Sequence, residues 1–419
     1  MKRFSRPLLE ACIQAFEAVL PLERPADAAL SAFFRAHPKI GQRDRATIAD
    51  SVYAALRHRR RLAQLVTAPD PRRLVLAVWT TLLGANLREL EPWLRESDAE
   101  WISAAKETVR APQPFEVECE LPDWVIEKLR HRFDEPSLLE LARGLAQSAS
   151  LDLRVNSMKT TREAAMKRLA DDGIRASATP YSPEGLRLDG HPAINRHPLF
   201  LEGAVEVQDE GSQLLCHLVA PKRGEMVVDF CAGAGGKTLA LGALMRSTGR
   251  LYAFDISPKR LAGLKPRLAR SGLSNVHPQR IEGVNDPRVK RLAGKIDRVL
   301  VDAPCSGLGT LRRNPDMKWR QTPEDIVELA GKQASLLSAA AKLVRPGGRI
   351  VYATCSILDE ENKEIAEAFL ASHAQFRLLP AVDVLRKERI HLEMLEYFEV
   401  WPHVHGTDGF FAAVFERGA

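Results

Sequence analysis

From Gly211 to the end of the chain, short apolar runs alternate with amphipathic stretches, a pattern typical of buried strands separated by helices. The predicted strands are 226–230, 250–254, 277–281, 298–302 and 349–354, with a turn at Pro346-Gly-Gly348 before the last of them. The helices between them include 237–245, 258–270 and 323–343. This alternation predicts an α/β fold with a mostly parallel sheet, closed by an antiparallel hairpin around Gly406 and Gly409.

Two further regions precede the alternating part. Apolar residues recur at helical spacing in Leu8–Leu20, Ala26–Phe34 and Ala46–Leu56, which predicts an all-helical region over residues 1–110. Residues 111–120 carry two prolines and are predicted to form a linker. Between Leu121 and Gly203, the strand patterns 151–155 and 186–188 and the helix pattern 161–169 predict a small α+β module. The predicted domains are therefore 1–115, 120–203 and 204–419.

Charge and cysteine usage narrow the class of protein. The net charge of +6 is compatible with a polyanionic partner, and the arginine-rich end of Arg43–Leu62 fits either a solvated helix end or an RNA-facing patch. None of the six cysteines forms a C-x-x-C pair, so reduced thiols are expected and a metal site is not. The sequence shows neither a membrane span nor a secretory signal, which predicts a cytoplasmic protein.

A glycine-rich turn, Asp229-Phe-Cys231-Ala-Gly233-Ala-Gly235-Gly-Lys-Thr238, joins the first predicted strand to a helix. Two ligand classes compete for it. Gly236-Lys-Thr fits the end of a phosphate loop, although Cys231 replaces its first glycine. The alternative is the turn that holds S-adenosylmethionine, and Asp255 at the end of the next strand favours it, because a carboxylate there suits a ribose diol. A plain strand–helix turn is the third interpretation.

Cys305 and Cys355 each follow a predicted strand, in Val299-Leu-Val-Asp-Ala-Pro-Cys305-Ser and Ile350-Val-Tyr-Ala-Thr-Cys355-Ser. If these strands are neighbours in the sheet, both thiols face one crevice at the carboxyl ends of the strands. A nucleophilic thiol needs a setting that favours the thiolate, and Lys237 is the candidate source of positive charge. The alternative is that both cysteines are buried as small hydrophobic residues.

These stretches resemble the RNA cytosine-5 methyltransferases of the Sun/RsmB/Nop family. The matching segments are Asp302-Ala-Pro-Cys305-Ser-Gly-Leu-Gly-Thr-Leu-Arg-Arg-Asn-Pro-Asp316-Met-Lys-Trp319, Tyr352-Ala-Thr-Cys355-Ser356, Glu360-Glu-Asn362, Val207-Gln-Asp-Glu-Gly-Ser-Gln213 and Gly406-Thr-Asp-Gly-Phe-Phe411. The resemblance covers residues 120–419. The N-terminal region, with Arg43-Asp-Arg-Ala and Tyr53-Ala-Ala-Leu-Arg57, is more weakly similar to the NusB-like helical domain of the bacterial ribosomal members.

The resemblance implies a Rossmann-like class I methyltransferase domain, preceded by a small α+β module and a NusB-like domain. It implies that Cys355 attacks C6 of a cytosine, that Cys305 assists release of the enzyme, and that Asp302 contacts the base near the methyl donor. The residues implied to hold S-adenosylmethionine are Cys231, Ala232, Gly233, Ala234, Gly235, Gly236, Lys237, Asp255, Glu282 and Asp302, with Asn285 or Asp286 as alternatives to Glu282 at the adenine.

The expected partner is RNA, and the resemblance implies the small-subunit 16S ribosomal RNA; Arg312, Arg313 and Lys318 are expected to contact its phosphates. A monomer is the default expectation. Three alternatives stay open at this point: a methyltransferase that acts on DNA cytosine, a non-catalytic RNA-binding or ribosome-assembly factor, and a phosphate-loop ATPase.

Overall fold

The computed structural model describes residues 4–67 and 70–418, and the chain divides into two compact units. The first unit comprises the described residues of Met1–Gln147 together with Leu311–Gln321. The second comprises Ser148–Thr310 and the described residues of Thr322–Ala419. A segment from the middle of the cysteine-bearing region therefore belongs to the helical first unit. The three predicted domains stay a prediction.

The first unit is helical over its described residues, as the apolar spacing predicts. A buried cluster that includes Phe16, Leu30, Val52 and Trp79 forms its core. Its helices are α1 (Arg6–Val19), α2 (Ala26–Ala36), α3 (Gln42–Arg57), α4 (Arg59–Leu65), α5 (Pro71–Ala77, continued by the π-helical Val78–Leu82), α6 (Leu87–Leu90), α7 (Asp98–Arg110), α8 (Phe115–Cys119), α9 (Asp123–Leu129) and α10 (Glu135–Ala146).

Two predictions in this unit need correction or refinement. The predicted linker 111–120 contains helix α8, because Pro114 starts a helix there instead of excluding one. The basic stretch is interrupted at His58, between α3 and α4. Part of its positive charge serves contacts inside the unit, since the Arg60 guanidinium pairs with Asp123 at 2.5 Å.

The segment Leu311–Gln321 caps helix ends of the first unit. The Lys318 ammonium, on the short helix α17 (Met317–Arg320), donates to the carbonyl oxygens of Arg57 (3.0 Å) and Glu120 (2.6 Å). The indole nitrogen of Trp319 donates to the carbonyl oxygen of Leu56 at 2.7 Å. The last carbonyls of a helix have no partner within it, so these side chains satisfy the ends of α3 and α8.

The second unit begins with a four-stranded antiparallel sheet of order β2-β3-β1-β4. Its elements are β1 (Leu151–Val155), α11 (Arg162–Asp171), β2 (Ala176–Ala178), β3 (Gly185–Leu188), α12 (Pro198–Leu201) and β4 (Val205–Val207). The predictions of a strand at 151–155, a strand at 186–188 and a helix at 161–169 are confirmed. The three-residue strands β2 and β4 are too short to give an alternating pattern in the sequence.

The second sheet has the order β10-β12-β9-β8-β5-β6-β7, with β11 paired to β12. The strands β5 to β9 are parallel, and β10, β11 and β9 each run antiparallel to β12. The strands are β5 (Met226–Asp229), β6 (Arg250–Asp255), β7 (Val276–Arg280), β8 (Ile296–Asp302), β9 (Val344–Thr354), β10 (Phe376–Leu379), β11 (Phe398–Val400) and β12 (Phe410–Arg417). The helices are α13 (Glu210–Val219), α14 (Gly236–Leu244), α15 (Pro258–Ser271), α16 (Pro287–Lys290), α18 (Pro323–Leu343), α19 (Lys363–Ser372), α20 (Ala381–Lys387) and α21 (Pro402–His405).

Helices cover both faces of this sheet. Successive strand residues point to opposite faces, and Leu300 packs in one apolar cluster while Val299 and Val301 pack in another. The predicted mostly parallel α/β sheet and its antiparallel closing strands are thus confirmed. One difference is that β9 begins at Val344 and runs through the predicted turn at Pro346-Gly-Gly348, where its register with β8 is irregular.

The strand order reverses at β5, which lies between β6 and β8. Two successive connections lead outward through β6 and β7, and the next returns the chain to the other side of β5. In open parallel sheets, ligands bind beyond the carboxyl ends of the strands at such a reversal. A ligand site is therefore expected near Asp229 and Asp302, the last residues of β5 and β8.

Candidate active site at the carboxyl ends of the central strands

The glycine-rich loop between β5 and α14 depends on two glycines in the left-handed region. Gly235, which precedes the first turn of α14, has φ +85°, and a Cβ there would lie 2.1 Å from Cδ1 of Leu264. Gly233 has φ +56° and no atom within 4 Å of the place a Cβ would take, so the loop is open at this point. An open backbone turn before a helix N-terminus is suited to close approach by a ligand.

The residues that a phosphate loop would use are engaged elsewhere. The Thr238 hydroxyl donates to Asp229 at 2.6 Å, and the Lys237 ammonium donates to Asp302 at 2.8 Å. A phosphate loop needs the hydroxyl for a metal ion and the lysine for a phosphate. The arrangement therefore favours the alternative interpretation of the loop, a site for S-adenosylmethionine.

Asp229 is a buried carboxyl group beneath the loop. Burial raises the pKa of Asp229 to about 7, although the hydrogen bond from Thr238 acts in the opposite direction. Burial likewise raises the pKa of the Cys231 thiol above its ordinary value. The Cys231 thiol therefore stays protonated at neutral pH, whereas Asp229 is only partly ionised there.

Asp255 ends β6 and is held against the loop. Its two carboxylate oxygens accept hydrogen bonds from the backbone N–H groups of Gly233 (2.8 Å) and Ser257 (2.7 Å). Each oxygen retains a lone pair, which is what a ribose diol requires. Ile256, the next residue, is 65% exposed. An exposed aliphatic side chain beside a carboxylate that suits ribose also suits one face of a purine, and the sequence analysis did not predict a role for Ile256.

The three candidates for the adenine contact differ in their surroundings. Asp286 is buried and accepts hydrogen bonds from the backbone N–H groups of Glu282 (3.0 Å) and Arg288 (2.7 Å), so it shapes the loop after β7 and caps α16. Glu282 and Asn285 are exposed. These surroundings favour Glu282 or Asn285 over Asp286 as the residue that meets a ligand.

Lys237 and Asp302 form an ion pair at the strand ends, with side chains 14% and 29% exposed. Burial opposes the charge on the ammonium, but attraction to Asp302 outweighs burial and raises the pKa of Lys237 above its ordinary value. The negative charge of a Cys355 thiolate acts on Lys237 in the same direction. The expected partnership between Lys237 and the thiol is therefore electrostatic, while the hydrogen bond goes to Asp302.

The two thiols lie together, as the strand pattern predicts. β8 and β9 are parallel neighbours, and the Sγ atoms of Cys305 and Cys355 are 3.3 Å apart. Both residues are partly exposed, in contrast to the buried Cys12, Cys119 and Cys216. The hydrogen bond with Cys355, and burial, raise the pKa of the Cys305 thiol well above its usual value. The pair thus contains one sulfur, that of Cys305, whose raised pKa keeps it protonated beside the sulfur of Cys355.

A cage of buried polar groups lies behind the thiols. Glu361 accepts hydrogen bonds from the hydroxyls of Ser306 and Ser356, both at 2.5 Å, and from the Ser306 N–H at 2.8 Å. Asn362 donates to the Ser356 carbonyl oxygen at 3.0 Å. Glu361 and Asn362 lie in a segment that matches the family, but the sequence predicts no role for them. The sequence feature that could have predicted this cage is a serine directly after each cysteine, together with an acidic residue a few positions after Cys355.

Two glycines let three loops meet at the backbone. The Gly309 N–H donates to the carbonyl oxygen of Cys355, and the Gly409 N–H donates to that of Gly309, both at 2.8 Å. A Cβ on Gly309 would lie 2.2 Å from the Gly409 carbonyl oxygen. The loop after β8, the loop after β9 and the loop before β12 are therefore fixed to one another, which sets the position of Cys355.

The small sheet braces the glycine-rich loop through arginines. Arg154 of β1 is buried and donates to the carbonyl oxygen of Gly236 at 2.7 Å. Arg267 of α15 donates to the carbonyl oxygen of Ala234 at 2.8 Å and to the carboxylate of Glu206, on β4, at 2.9 Å. The carbonyls on both sides of Gly235 are thus held by groups connected to the small sheet.

Lys318 does not offer its charge to a ligand. It is 3% exposed and its ammonium is committed to two carbonyl oxygens of the first unit. Arg312 is also buried, and its carbonyl oxygen accepts a hydrogen bond from Arg57. The expectation that Lys318 and Arg312 contact phosphates is therefore wrong, because the segment that carries them packs into the helical unit.

Membrane spans, metal-binding clusters and disulfides were also sought among the described residues. Among residues 4–67 and 70–418, none of the helices combines the length and apolar character that a bilayer crossing needs. Within the same ranges, His, Cys, Asp and Glu side chains do not gather in groups of three that would hold a metal ion. All six cysteines are free.

Comparison with known proteins gives two family matches. A family described as 16S rRNA methyltransferase RsmB/F matches residues 216–416, and the RsmF/B-like ferredoxin-like domain matches residues 121–195. A probable ribosomal RNA small subunit methyltransferase B from Synechocystis sp. is 38% identical over 294 residues, 70% of this chain and 66% of the relative. Its counterpart from Bacillus subtilis is 32% identical over 297 residues, 69% of this chain and 65% of the relative.

The chain thus matches slightly less than two thirds of the length of these curated relatives. Among solved structures, PH0851 is similar over 99% of both chains, with a TM-score of 0.79 and 27% identity. NSun6 from Pyrococcus horikoshii, solved with SFG, has a TM-score of 0.62 at 21% identity over 71% of this chain and 98% of its own, a likeness in fold alone. With its Rossmann-like methyltransferase fold and paired cysteines, the chain belongs to the RsmB/F family of ribosomal RNA methyltransferases.

Proposed function

We propose that this chain transfers a methyl group from S-adenosylmethionine to C5 of a cytosine in RNA, through a covalent bond between Cys355 and C6 of the ring. The observation that carries the proposal is the contact between the two partly exposed thiols, 3.3 Å apart at the ends of β8 and β9. The Lys237–Asp302 ion pair lies at the same strand ends. The names of the curated relatives support 16S ribosomal RNA as the substrate.

The residues of the loop fit S-adenosylmethionine. The open turn at Gly233 and the backbone of 231–237 would hold its methionine part, Asp255 its ribose, and Ile256 with Glu282 or Asn285 its adenine. When bound, this cofactor supplies an electrophilic methyl group. Asp302, at the end of β8, would lie beside both the cofactor and the target base.

The chemistry requires a nucleophile because C5 of cytosine is weakly reactive. Addition of the Cys355 thiolate to C6 breaks the aromaticity of the ring and moves electron density to C5, which then accepts the methyl group. Covalent catalysis of this kind replaces one difficult step by several easier ones. Lys237 supplies positive charge at the strand ends where the thiolate acts, and a negative charge on Cys355 contributes to the raised pKa of Lys237.

Asp302 and Lys237 act on the polar edge of the ring. The Asp302 carboxylate would accept a hydrogen bond from the amino group of cytosine, and the positive charge of its partner Lys237 would offset the negative charge that the adduct carries until the methyl group arrives. The raised pKa of Lys237 keeps the pair charged at neutral pH. A preorganised charge pair costs little reorganisation when the ring charge changes.

Cys305 acts after methyl transfer. The C5–H bond then breaks, its proton passes to solvent water, its electron pair restores the C5–C6 double bond, and the C6–S bond breaks with its electrons returning to Cys355. The raised pKa of Cys305 keeps this residue a thiol, which can donate its proton in a hydrogen bond to the departing sulfur.

The remaining regions are proposed to bind RNA. We infer that residues 1–115 form a NusB-like RNA-binding domain and residues 120–203 an RNA-recognition module, with 204–419 as the catalytic domain. The net charge of +6 supports a polyanionic substrate. The target cytosine has to leave its stack to reach Cys355, which costs a few kcal/mol.

The first test concerns the nucleophile. Cys355→Ala is expected to abolish methyl transfer to RNA, because the proposal assigns the attack on C6 to Cys355, while the raised pKa of Cys305 keeps that second sulfur a thiol. The measurement is incorporation of labelled methyl groups into 16S ribosomal RNA, with the buried Cys12→Ala variant as the matched control for loss of a thiol. Wild-type turnover by Cys355→Ala would overturn the proposal.

The second test concerns release. Cys305→Ala is expected to accumulate a protein–RNA adduct that survives a denaturing gel, because the C6–S bond forms but breaks slowly.

Bisulfite sequencing of RNA treated with wild-type enzyme identifies the cytosine. Methyl incorporation into DNA but not RNA would favour the DNA alternative, and failure to bind S-adenosylmethionine in calorimetry would favour a non-catalytic RNA-binding factor.

A further inference from the structure

Glu361 connects the loops that carry the two cysteines. Its Oε2 atom accepts the hydroxyl hydrogens of Ser306 and Ser356, the residues that directly follow Cys305 and Cys355. Its Oε1 atom accepts from the Ser306 N–H at 2.8 Å and from the side-chain amide of Gln333 at 3.0 Å. The residue is fully buried. A carboxylate has about four acceptor positions, so this arrangement uses all of them.

The cage continues on both sides of Glu361. The Gln333 amide also donates to the carbonyl oxygen of Pro304, which directly precedes Cys305, at 2.9 Å. The Tyr352 hydroxyl, on β9, donates to the Glu361 carbonyl oxygen at 2.5 Å. Both cysteines are thus flanked by residues that are hydrogen-bonded, directly or through Gln333, to one carboxylate. Displacing that carboxylate would remove these side-chain hydrogen bonds from both loops, although the backbone hydrogen bond between Gly309 and Cys355 would remain.

We propose that Glu361 is a positioning residue that holds the Cys305 thiol against the Cys355 sulfur, and that it thereby sets the rate at which the covalent adduct is released. This inference rests on the proposed function and assigns a task to a residue that does not touch the substrate. It makes Glu361 a determinant of the release step, whereas formation of the C6–S bond depends on Cys355, Lys237 and Asp302.

Electrostatics supports the same conclusion. After the hydrogen bond to Cys355 and burial, the negative charges of Cys355 and Glu361 also raise the pKa of Cys305. A carboxylate behind Cys305 therefore favours its protonated form. Release needs that form, because only a thiol can donate a hydrogen bond to the sulfur that leaves C6.

The test is the partition between stalled adduct and methylated product. Glu361→Gln keeps the volume but removes the charge and replaces one acceptor oxygen, with its two acceptor positions, by a donor group, so the serine hydroxyls and Cys305 lose their fixed arrangement. We expect the steady-state fraction of enzyme in denaturation-resistant adduct to rise roughly tenfold, in line with the effect of second-layer hydrogen-bond partners elsewhere. The burst rate of adduct formation is expected to change by less than about threefold, because Cys355 still attacks.

Two variants keep the test independent of general destabilisation. Glu210→Gln alters another fully buried carboxylate of the same unit, one that accepts the Tyr181 and Ser182 N–H groups, and is expected to leave the partition unchanged. Ser356→Ala removes a single hydroxyl from the cage and is expected to raise the adduct fraction by a smaller factor. It serves as the deciding variant if Glu361→Gln does not fold.

The outcomes separate this inference from the proposed function. The role of Glu361 alone would be overturned if Cys305→Ala accumulates adduct while folded Glu361→Gln keeps the wild-type partition. If Glu361→Gln does not fold, a wild-type partition in Ser356→Ala has the same meaning. Absence of any adduct in Cys305→Ala would overturn the proposed function itself. An equal rise of adduct in Glu210→Gln and Glu361→Gln would show that the effect is unspecific and would also reject the inference.

Discussion

The two buried lysines Lys237 and Lys318 differ in the partner that each side chain meets. The Lys237 ammonium donates to the carboxylate of Asp302 at 2.8 Å, and attraction to this group raises the pKa of Lys237 in spite of burial. The Lys318 ammonium donates to two backbone carbonyl oxygens, and burial lowers the pKa of Lys318 to about 7, although Glu120 acts in the opposite direction.

Burial alone therefore does not decide whether a lysine carries charge in this molecule. A direct carboxylate partner keeps Lys237 charged at the ends of the parallel strands, where the proposed reaction develops negative charge. The hydrogen bonds of Lys318 go to backbone carbonyl oxygens instead, at the carboxyl ends of α3 and α8, and it serves as a cap for those helices. Lys237 is thus proposed to serve chemistry and Lys318 stability, although both stand in segments that match the family.

The largest effect expected from this contrast is on the rate of methyl transfer. Lys237→Met removes the charge beside Cys355 and leaves Asp302 without its partner, so the single-turnover rate is expected to fall by about 10²–10⁴-fold. Lys318→Met is the matched control, and per folded molecule at saturating RNA it is expected to keep the wild-type rate. The measurement is methyl transfer in rapid-quench experiments.

Similar rate losses in the two variants would mean that the contrast between a chemical and a structural lysine is wrong. A loss confined to Lys237→Met, with binding of S-adenosylmethionine retained in calorimetry, would place the defect in the chemical step. The calorimetric control matters because Lys237 also belongs to the loop proposed to hold the cofactor.

The sequence predicts Lys237 better than Lys318 for a physical reason. The parallel-sheet pattern places Asp302, Cys305, Cys355 and the loop with Lys237 at the same edge, and the structure brings them together there. The position of Lys318 depends instead on contacts with Arg57 and Glu120, which are about two hundred or more residues away along the chain. Local periodicity contains no information on such a contact.

The same distinction explains what else the sequence leaves open. Strands β5 to β9 and helices α14, α15 and α18 follow from apolar periodicity because each is decided by its own residues. The cage around Glu361 is not predictable in this way, since its partners Ser306, Gln333 and Ser356 come from separate elements that only the fold unites. Helix α8 was missed because prolines suit both a linker and the start of a helix.

The next largest effect concerns the stability of the first unit. Lys318→Met leaves the carbonyl oxygens of Arg57 and Glu120 without their donor, so the free energy of unfolding is expected to fall by about 1–3 kcal/mol. Five of the six tryptophans lie in this unit, which makes their fluorescence a reporter of its unfolding in urea. An unchanged midpoint and slope for Lys318→Met would show that the caps contribute nothing measurable.

The smallest effect is the dependence of that stability on pH. The pKa of Lys318 is about 7 in the folded protein and about 10.4 when unfolded, so between these values the unfolded chain binds more protons. The free energy of unfolding is therefore expected to rise with pH across this window, by at most about 1.4 kcal/mol per pH unit for one proton. Below about pH 7 both states are protonated and the cost of burying the charge is constant.

The contributions of Lys237 and Lys318 to the free energy of unfolding are expected to depend on pH in opposite directions. Because the pKa of Lys237 is raised, the stability that it contributes is fully present below about pH 10.4 and is lost only above it. Urea unfolding at pH 7.5, 8.5 and 9.5 should thus show a flatter rise for Lys318→Met than for wild type, and an unaltered rise for Lys237→Met. Parallel pH profiles for wild type and Lys318→Met would mean that Lys318 stays charged in its carbonyl-lined site. Carbonyl dipoles would then stabilise a buried ammonium group as well as a carboxylate does.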